Sequence, residues 1–303
     1  MSNKLVFNVN ADEDNLKLNE YLRSIAKFSS RFSRKAVRDG HVKINDNNVT
    51  LYTRVRAGDR IEVEIEKKEE QQDIVPEKIQ LDVIYEDCDI IIVNKPSNMI
   101  VHPTRNYPNG TLTNGLLYYF KEKNEKSIVR LVSRLDRDTT GLILVAKNSF
   151  SHMALARDMD KAEFQKNYLA IVHGNLKEKK GIIHKPIYKC EDGSIKRVID
   201  KRGQESITHF EVVESFNDAD LVKLTLETGR THQIRVHLSS IGHPIFGDTL
   251  YGNEVRKYID RQALHAYRLQ IPHPRTSQIL NFECGLPNDM NELLTKLKKS
   301  YKV

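Results

Sequence analysis

Residues 134–147 read Arg-Leu-Asp-Arg-Asp-Thr-Thr-Gly-Leu-Ile-Leu-Val-Ala-Lys, a turn crowded with charge that runs straight into a strand apolar enough to be buried on both faces. A carboxylate at the lip of such a strand is held on rigid scaffold, as a catalytic group requires. Asp136 is therefore the candidate. The plainer alternative is that Asp136 or Asp138 closes the turn and pairs with Arg134 or Arg137.

Outward from this stretch, β-type runs dominate the chain after residue 80: 83–85, 89–94, 142–146, 168–172, 207–213, 221–226, 264–271 and 279–282. Helical periodicity is rarer, at 112–121, 150–159, 232–240 and 288–299. Strands with interspersed helices, not in strict alternation, predict an α+β domain around a largely antiparallel mixed sheet. A second segment stands out, Thr228-Gly229-Arg230-Thr231-His232-Gln233-Ile234-Arg235-Val236-His237, followed by Gly242-His243-Pro244-Ile245-Phe246-Gly247-Asp248. Its Arg, His and Gln after a turn glycine suit phosphate or carboxylate recognition, or simply a well-capped basic helix.

The chain has 303 residues, 39% of them hydrophobic and 29% charged, enough apolar material for a core and, at roughly 150 residues per domain, for two domains. No apolar run approaches the ~20 residues of a membrane span, and the polar start at Met1-Ser2-Asn3-Lys4 offers no export signal. Cys88, Cys190 and Cys284 are odd in number and share no pair spacing, which argues against a disulfide framework or a zinc cage and for a reducing cytoplasm. Neither a phosphate-binding Gly-x-x-x-x-Gly-Lys-Ser/Thr loop nor a Gly-x-Ser-x-Gly elbow is present. His232 and His237 lie five apart, ~140° around a helix, so a metal pair is not expected there and most histidines read as structural.

Net charge is +7, and its location is informative. Between Tyr21 and Arg60 ten basic residues face only Asp39, Asp46 and Asp59, so this window carries the whole excess. A helix is predicted from about Lys17, on Leu18, Tyr21, Leu22 and Ile25, and a second from a Ser29 or Ser30 cap to Asp39, stopped by Gly40. On the second, Arg31, Arg34, Lys35 and Arg38 recur at i, i+3, i+4, i+7 and form one stripe, with Phe32, Ala36 and Val37 left to pack inward. Arg54 and Arg56 extend the basic run into a following loop. A one-signed surface of this size suits a phosphate backbone, although a solvated helix face is the ordinary alternative. Short strands follow, on Val42 and Ile44 and, after Gly58-Asp59, on Ile61, Val63 and Ile65. The charged, aperiodic run 66–78 with Pro76 reads as a linker, placed at 67–79, between a module of 1–66 and a domain of 80–303.

Two helices followed by a small β unit ending in Gly-Asp-x-Ile-x-Val make residues 15–66 resemble the S-four RNA-binding module. The stretches RLDRDTTGLILVAKN and TGRTHQIRVHLSSIGHPIFGD, with NKPSNMIVHP before and QALHAYRLQIPHP after, resemble the RluA/RluD family of pseudouridine synthases over about residues 80–287. The resemblance implies that fold and an RNA isomerase with Asp136 as the catalytic carboxylate, Tyr168 (in KNYLAIVHG) as the active-site tyrosine and Arg230 as the arginine paired with the aspartate, where it would favour the charged carboxylate. Arg134, Ile234 and Arg235 belong to the same motifs. Lys95, His102 and Lys147 are expected along the RNA path, or else as ordinary surface residues. Ser133 stands where most members have His, which removes a group able to titrate near neutrality.

Moving a base from nitrogen to carbon attachment needs no redox step, phosphate donor or metal, so no cofactor is expected. The implied partner is RNA, with ribosomal RNA of the large subunit favoured and transfer RNA open; no obligate protein partner and no membrane are expected. A non-catalytic RNA-binding assembly factor on the same fold is the rival, and the joint presence of Asp136, Tyr168 and Arg230 speaks against it.

Overall fold

The structure is a computed structural model that describes residues 4–65, 74–125, 127–191, 193–252 and 258–300. The N-terminal unit comprises β1 (Lys4–Asn8), α1 (Leu18–Ser24), α2 (Ser30–Arg38), β2 (Val42–Ile44), β3 (Asn47–Asn48) and β4 (Arg60–Glu64), with a four-stranded sheet in the order β1-β4-β2-β3. The Ser29 hydroxyl accepts from the Phe32 N–H at 3.2 Å and caps α2, and Gly40 at φ +75° ends it. Strand β1 was not legible: only Leu5 and Phe7 turn inward, and the residue between them, Val6, is an exposed valine that breaks the apolar–polar alternation. The unit's core (Leu18, Tyr21, Leu22, Phe28, Val55, Ile61, Val63) extends onto Phe150 of the next domain, whose ring meets Phe28 edge-on at 5.6 Å. Arg157 Nη1 donating to the Lys27 carbonyl and Arg275 Nη1 donating to the Lys4 carbonyl tie the two units further.

In the stretch expected to link them, residues 66–73 lie outside the described residues. Beyond it the Val75 carbonyl accepts from Asn114 Nδ2 at 2.8 Å, and Glu77 N–H donates to the Asn114 carbonyl at 3.0 Å.

The large domain contains β5 (Asp82–Glu86), β6 (Ile90–Lys95), α3 (Leu112–Glu122), β7 (Arg130–Leu131), β8 (Thr140–Ala146), α4 (Ser149–Asp158), β9 (Gln165–His173), β10 (Lys180–His184), β11 (Ile187–Lys189), β12 (Arg197–Ile199), β13 (Ile207–Phe216), β14 (Ala219–Leu226), α5 (Gln233–Ser240), β15 (Leu264–Pro272), β16 (Ile279–Glu283) and α6 (Asn288–Ser300). Its main sheet runs β10-β13-β14-β9-β15-β8-β6-β5, with β16 beside β15 and β7 beside β8, while β11 and β12 form a separate hairpin. This is the expected α+β architecture.

All seven residues of β8 are buried. Ile143 and Val145 face a cluster with Leu112, Leu116 and Phe120 of α3. Leu142 and Leu144 face the opposite cluster, with Leu155 of α4 and Phe164. A strand covered on both faces must be apolar throughout, and each such side chain stabilises the fold by ~2 kcal/mol.

Every strand pair described is antiparallel but one. Strand β8 meets β15 in parallel over Thr140↔His265 and Ala266↔Gly141. Gly141 has φ +111°, and a Cβ there would lie 2.3 Å from the Ala266 carbonyl oxygen, so the glycine lets the two strands touch at this seam. The seam joins the β5-β6-β8 side of the sheet to the β9-β14-β13-β10 side.

Candidate active site

The turn that opens β8 sits at this seam, and its backbone is clamped. Thr139 N–H donates to the Asp136 carbonyl at 3.1 Å. Lys95 Nζ donates to the carbonyls of Pro96, Met99 and Arg137 at 2.8, 2.9 and 2.9 Å. Arg261 Nη1 donates to the Asp138 carbonyl at 3.1 Å, and Gln262 Nε2 donates to Thr139 Oγ1 at the same distance. The turn therefore presents Asp136 from a rigid base, its side chain one quarter exposed in a cleft of about 400 Å³.

Across the cleft, Arg235 on α5 donates from Nη1 to Asp136 Oδ2 at 3.0 Å. Its Nε and Nη2 grip both oxygens of the fully buried Asp248 at 2.7 and 2.8 Å, so one fork is spent on orientation and the remaining nitrogen points at Asp136. Burial opposes the charge of Arg235, but the Asp248 and Asp136 carboxylates more than offset it and raise its pKa. His232, which caps α5 from a left-handed backbone at φ +58°, brings Nε2 to 3.8 Å from Asp136 Oδ2 and Nδ1 to 2.9 Å from the Tyr251 hydroxyl. Burial lowers the His232 pKa, against the pull of the Asp136 charge.

Tyr168 lines the same cleft from β9, only 8% exposed. Burial first, and then the Asp136 charge, push its pKa up, which keeps it a neutral phenol. Lys166, two residues earlier on the same face of β9, also lines the cleft, and burial lowers its pKa. Arg134, Arg230 and Ile234 complete the set that the structure brings together.

Arg230 does not take the position expected for it. It lies in the turn before α5, where its backbone N–H is bound by Gln233 Oε1 at 3.0 Å, and its Nε donates to the Glu205 carbonyl at 3.3 Å. Arg235, five residues on and already in the helix, is the arginine paired with Asp136.

Three other expectations also need correction. Lys95 is fully buried as the strut under the turn, and burial lowers its pKa to about 7. Lys147 is buried between Glu86 at 2.8 Å and Glu125 at 2.9 Å. Each sits at the C-terminal end of a core strand, Lys95 closing β6 and Lys147 following β8, where the long stem reaches the carbonyls or carboxylates that hold its ammonium. His102 is exposed, but its ring turns to Thr113 Oγ1 at 3.4 Å and does not line the cleft.

Lys166 escaped the sequence reading, and His232 and Asp248, although they lie in the second segment singled out there, were given no role at the site. For Lys166 a signal existed, the two-residue spacing from Tyr168 on a strand. Asp248 reaches Arg235 only through the fold of the intervening loop.

The basic residues of the N-terminal unit stay exposed: Arg31, Arg34, Lys35 and Arg38 along α2, and Arg54 and Arg56 in the loop before β4. Arg38 pairs with Asp39 at 2.9 Å, and Arg54 Nη1 donates to the Asn15 carbonyl at 2.7 Å.

Among the described residues, Asp87, Asp89 and His273 alone cluster closely enough to suggest a metal. Their oxygens are taken up by Arg275 at 2.7 Å, by Tyr85 at 2.8 Å and by the Asp89 and Ile90 N–H groups, so the cluster is a structural knot.

Residues 89–240 match the family described as RNA pseudouridylate synthase. The chain is 37% identical to the uncharacterized RNA pseudouridine synthase YlyB of Bacillus subtilis, over 98% of this chain and 99% of that one. It is 37% identical to the ribosomal large subunit pseudouridine synthase D of Haemophilus influenzae, over 86% and 84%. The solved structure of human RNA pseudouridylate synthase domain containing 4 superposes with a TM-score of 0.59 at 25% identity, over 72% of this chain and 93% of that one.

Proposed function

The chain belongs to the RluA/RluD family of RNA pseudouridine synthases, isomerases that act on RNA, and on that premise we propose that it converts uridines of large-subunit ribosomal RNA with Asp136 as the catalytic carboxylate. The observation that carries the reading is Asp136, held on a clamped turn 3.0 Å from an arginine that Asp248 orients, opposite a buried tyrosine. The ribosomal substrate is supported by the name of the Haemophilus influenzae relative, and an RNA partner by the exposed basic stripe on α2.

The isomerisation breaks the C1′–N1 bond, turns the base and closes C1′–C5; C5 gives up its proton and N1 takes one. The ionised Asp136 attacks the base or the anomeric carbon, or stabilises positive charge as it builds on the sugar. Arg235 supplies a fixed positive charge that favours the carboxylate form and aims it. Tyr168, a neutral phenol on the cleft wall, stacks on the extruded base.

The test uses RNA tritiated at uridine C5, with ribosomal and transfer RNA incubated separately with the protein. Tritium reaches water only when a bond forms at C5. The expected result is release from large-subunit ribosomal RNA. Release from transfer RNA alone would overturn the substrate assignment, and tight binding without release from either would favour the assembly-factor reading.

A further inference from the structure

The cleft does not end at Asp136. Arg134, Gly229 and Arg230 also line a second groove, of about 540 Å³, whose far wall is the β11–β12 hairpin with Tyr188, Lys189 and Arg197, continued by Arg202 just after it. Five cations line this groove and no carboxylate does. Among the described residues, Arg202 alone of the five has a carboxylate partner, Asp200 at 2.7 Å, and its guanidinium lies 4.5 Å from the centre of the Tyr188 ring.

The wall is built, not draped. Ile187 and Gln204 exchange two backbone hydrogen bonds at 2.9 Å. That approach requires Gly203, where a Cβ would lie 2.4 Å from the Ile187 carbonyl carbon. Arg197 N–H donates to the Tyr251 hydroxyl at 2.8 Å, and the same hydroxyl meets His232 Nδ1 at 2.9 Å beside Asp136. Two hydrogen bonds thereby join the groove wall to His232, whose Nε2 lies 3.8 Å from Asp136 Oδ2.

We propose that this groove, walled by the β11–β12 hairpin, seats the phosphodiester backbone of the RNA strand next to the extruded uridine, with Arg134 and Arg230 at its junction with the cleft and Lys189 and Arg197 further along. The proposal rests on the function given above. It assigns Arg134 and Arg230 to holding the strand, which fits cations that line both spaces while Arg235 serves Asp136. Single-stranded phosphates neutralised by fixed cations release counterions, about 0.7 per phosphate, so the groove makes a defined contribution to the salt dependence of binding.

The test compares the wild type with Lys189→Gln/Arg197→Gln, with the charge-keeping Lys189→Arg/Arg197→Lys, and with Lys177→Gln, an exposed lysine outside the groove. Binding of a short, fluorescently labelled, uridine-containing oligoribonucleotide is followed across a salt series, and tritium release gives kcat and KM. The glutamine double variant should lower the slope of log K against log salt by about 1.4 and raise KM on the order of tenfold, with the smaller effect on kcat. The charge-keeping variant should restore both, and Lys177→Gln should behave as wild type. An unchanged slope in the glutamine variant overturns the proposal, as does an equal loss in both double variants, because shape and not charge would then matter. The binding arm needs no turnover: wild type that releases no tritium sinks the functional reading, whereas normal turnover with an unchanged slope sinks the groove alone.

Discussion

Two sets of cations in this molecule share chemistry and differ in fate. In the large domain Lys95, Lys147, Arg235 and Arg261 are buried, each spent on carbonyls or carboxylates of the fold. On α2 Arg31, Arg34, Lys35 and Arg38 stay in solvent. The contrast teaches that a basic residue inside a strongly patterned segment is as apt to hold the site together as to touch its substrate. A buried ammonium is tolerated only where acceptors converge on it, and the strand ends at Lys95 and Lys147 supply them. The stripe on α2 stays in water because its helix packs the other face, Phe32, Ser33 and Ala36, against the small core.

Breaking the buried set should cost folding. Lys147→Met leaves Glu86 and Glu125 facing each other without their shared cation, and the expected loss is about 3–5 kcal/mol, read from chemical or thermal unfolding. A loss below ~1 kcal/mol would mean that the buried lysine is dispensable and would dissolve the contrast.

A smaller effect, on turnover and not chiefly on the fold, is expected at Asp248. Asp248→Asn keeps the shape but weakens the grip on Arg235, so kcat should fall on the order of a hundredfold while KM holds. Equal changes in both constants would point to general loosening.

The mildest outcome belongs to the exposed set. Replacing Arg31, Arg34, Lys35 and Arg38 together by Gln should shift stability little, within about 0.5 kcal/mol for each site, and should flatten the salt dependence of RNA binding. An unchanged slope would remove the stripe from the RNA.

The same division marks what could be read from sequence. Strand β8 and helices α2 and α5 announced themselves because burial on one or both faces forces a local apolar pattern, and Ser29 and Gly40 marked the ends of α2. The short strands β10 to β12 carry little periodicity: Ile182 of β10 is exposed and Arg197–Ile199 is only half-buried. The hairpin went unread with them. Asp136 was legible as the carboxylate at the mouth of a buried strand. Its arginine was not, because Arg230 and Arg235 share one motif and only the helix start at Gln233 and the reach of Asp248 decide between them.

On this reading the Asp136 carboxylate performs the chemistry, Arg235 keeps it charged and aimed, and Arg134 and Arg230 hold the RNA. Single-turnover tritium release from C5-labelled large-subunit ribosomal RNA, measured for wild type and Asp136→Asn alongside their RNA affinities, tests it most directly. The account predicts no release above background from the variant, with affinity within a few-fold of wild type. Release at the wild-type rate from Asp136→Asn would contradict it.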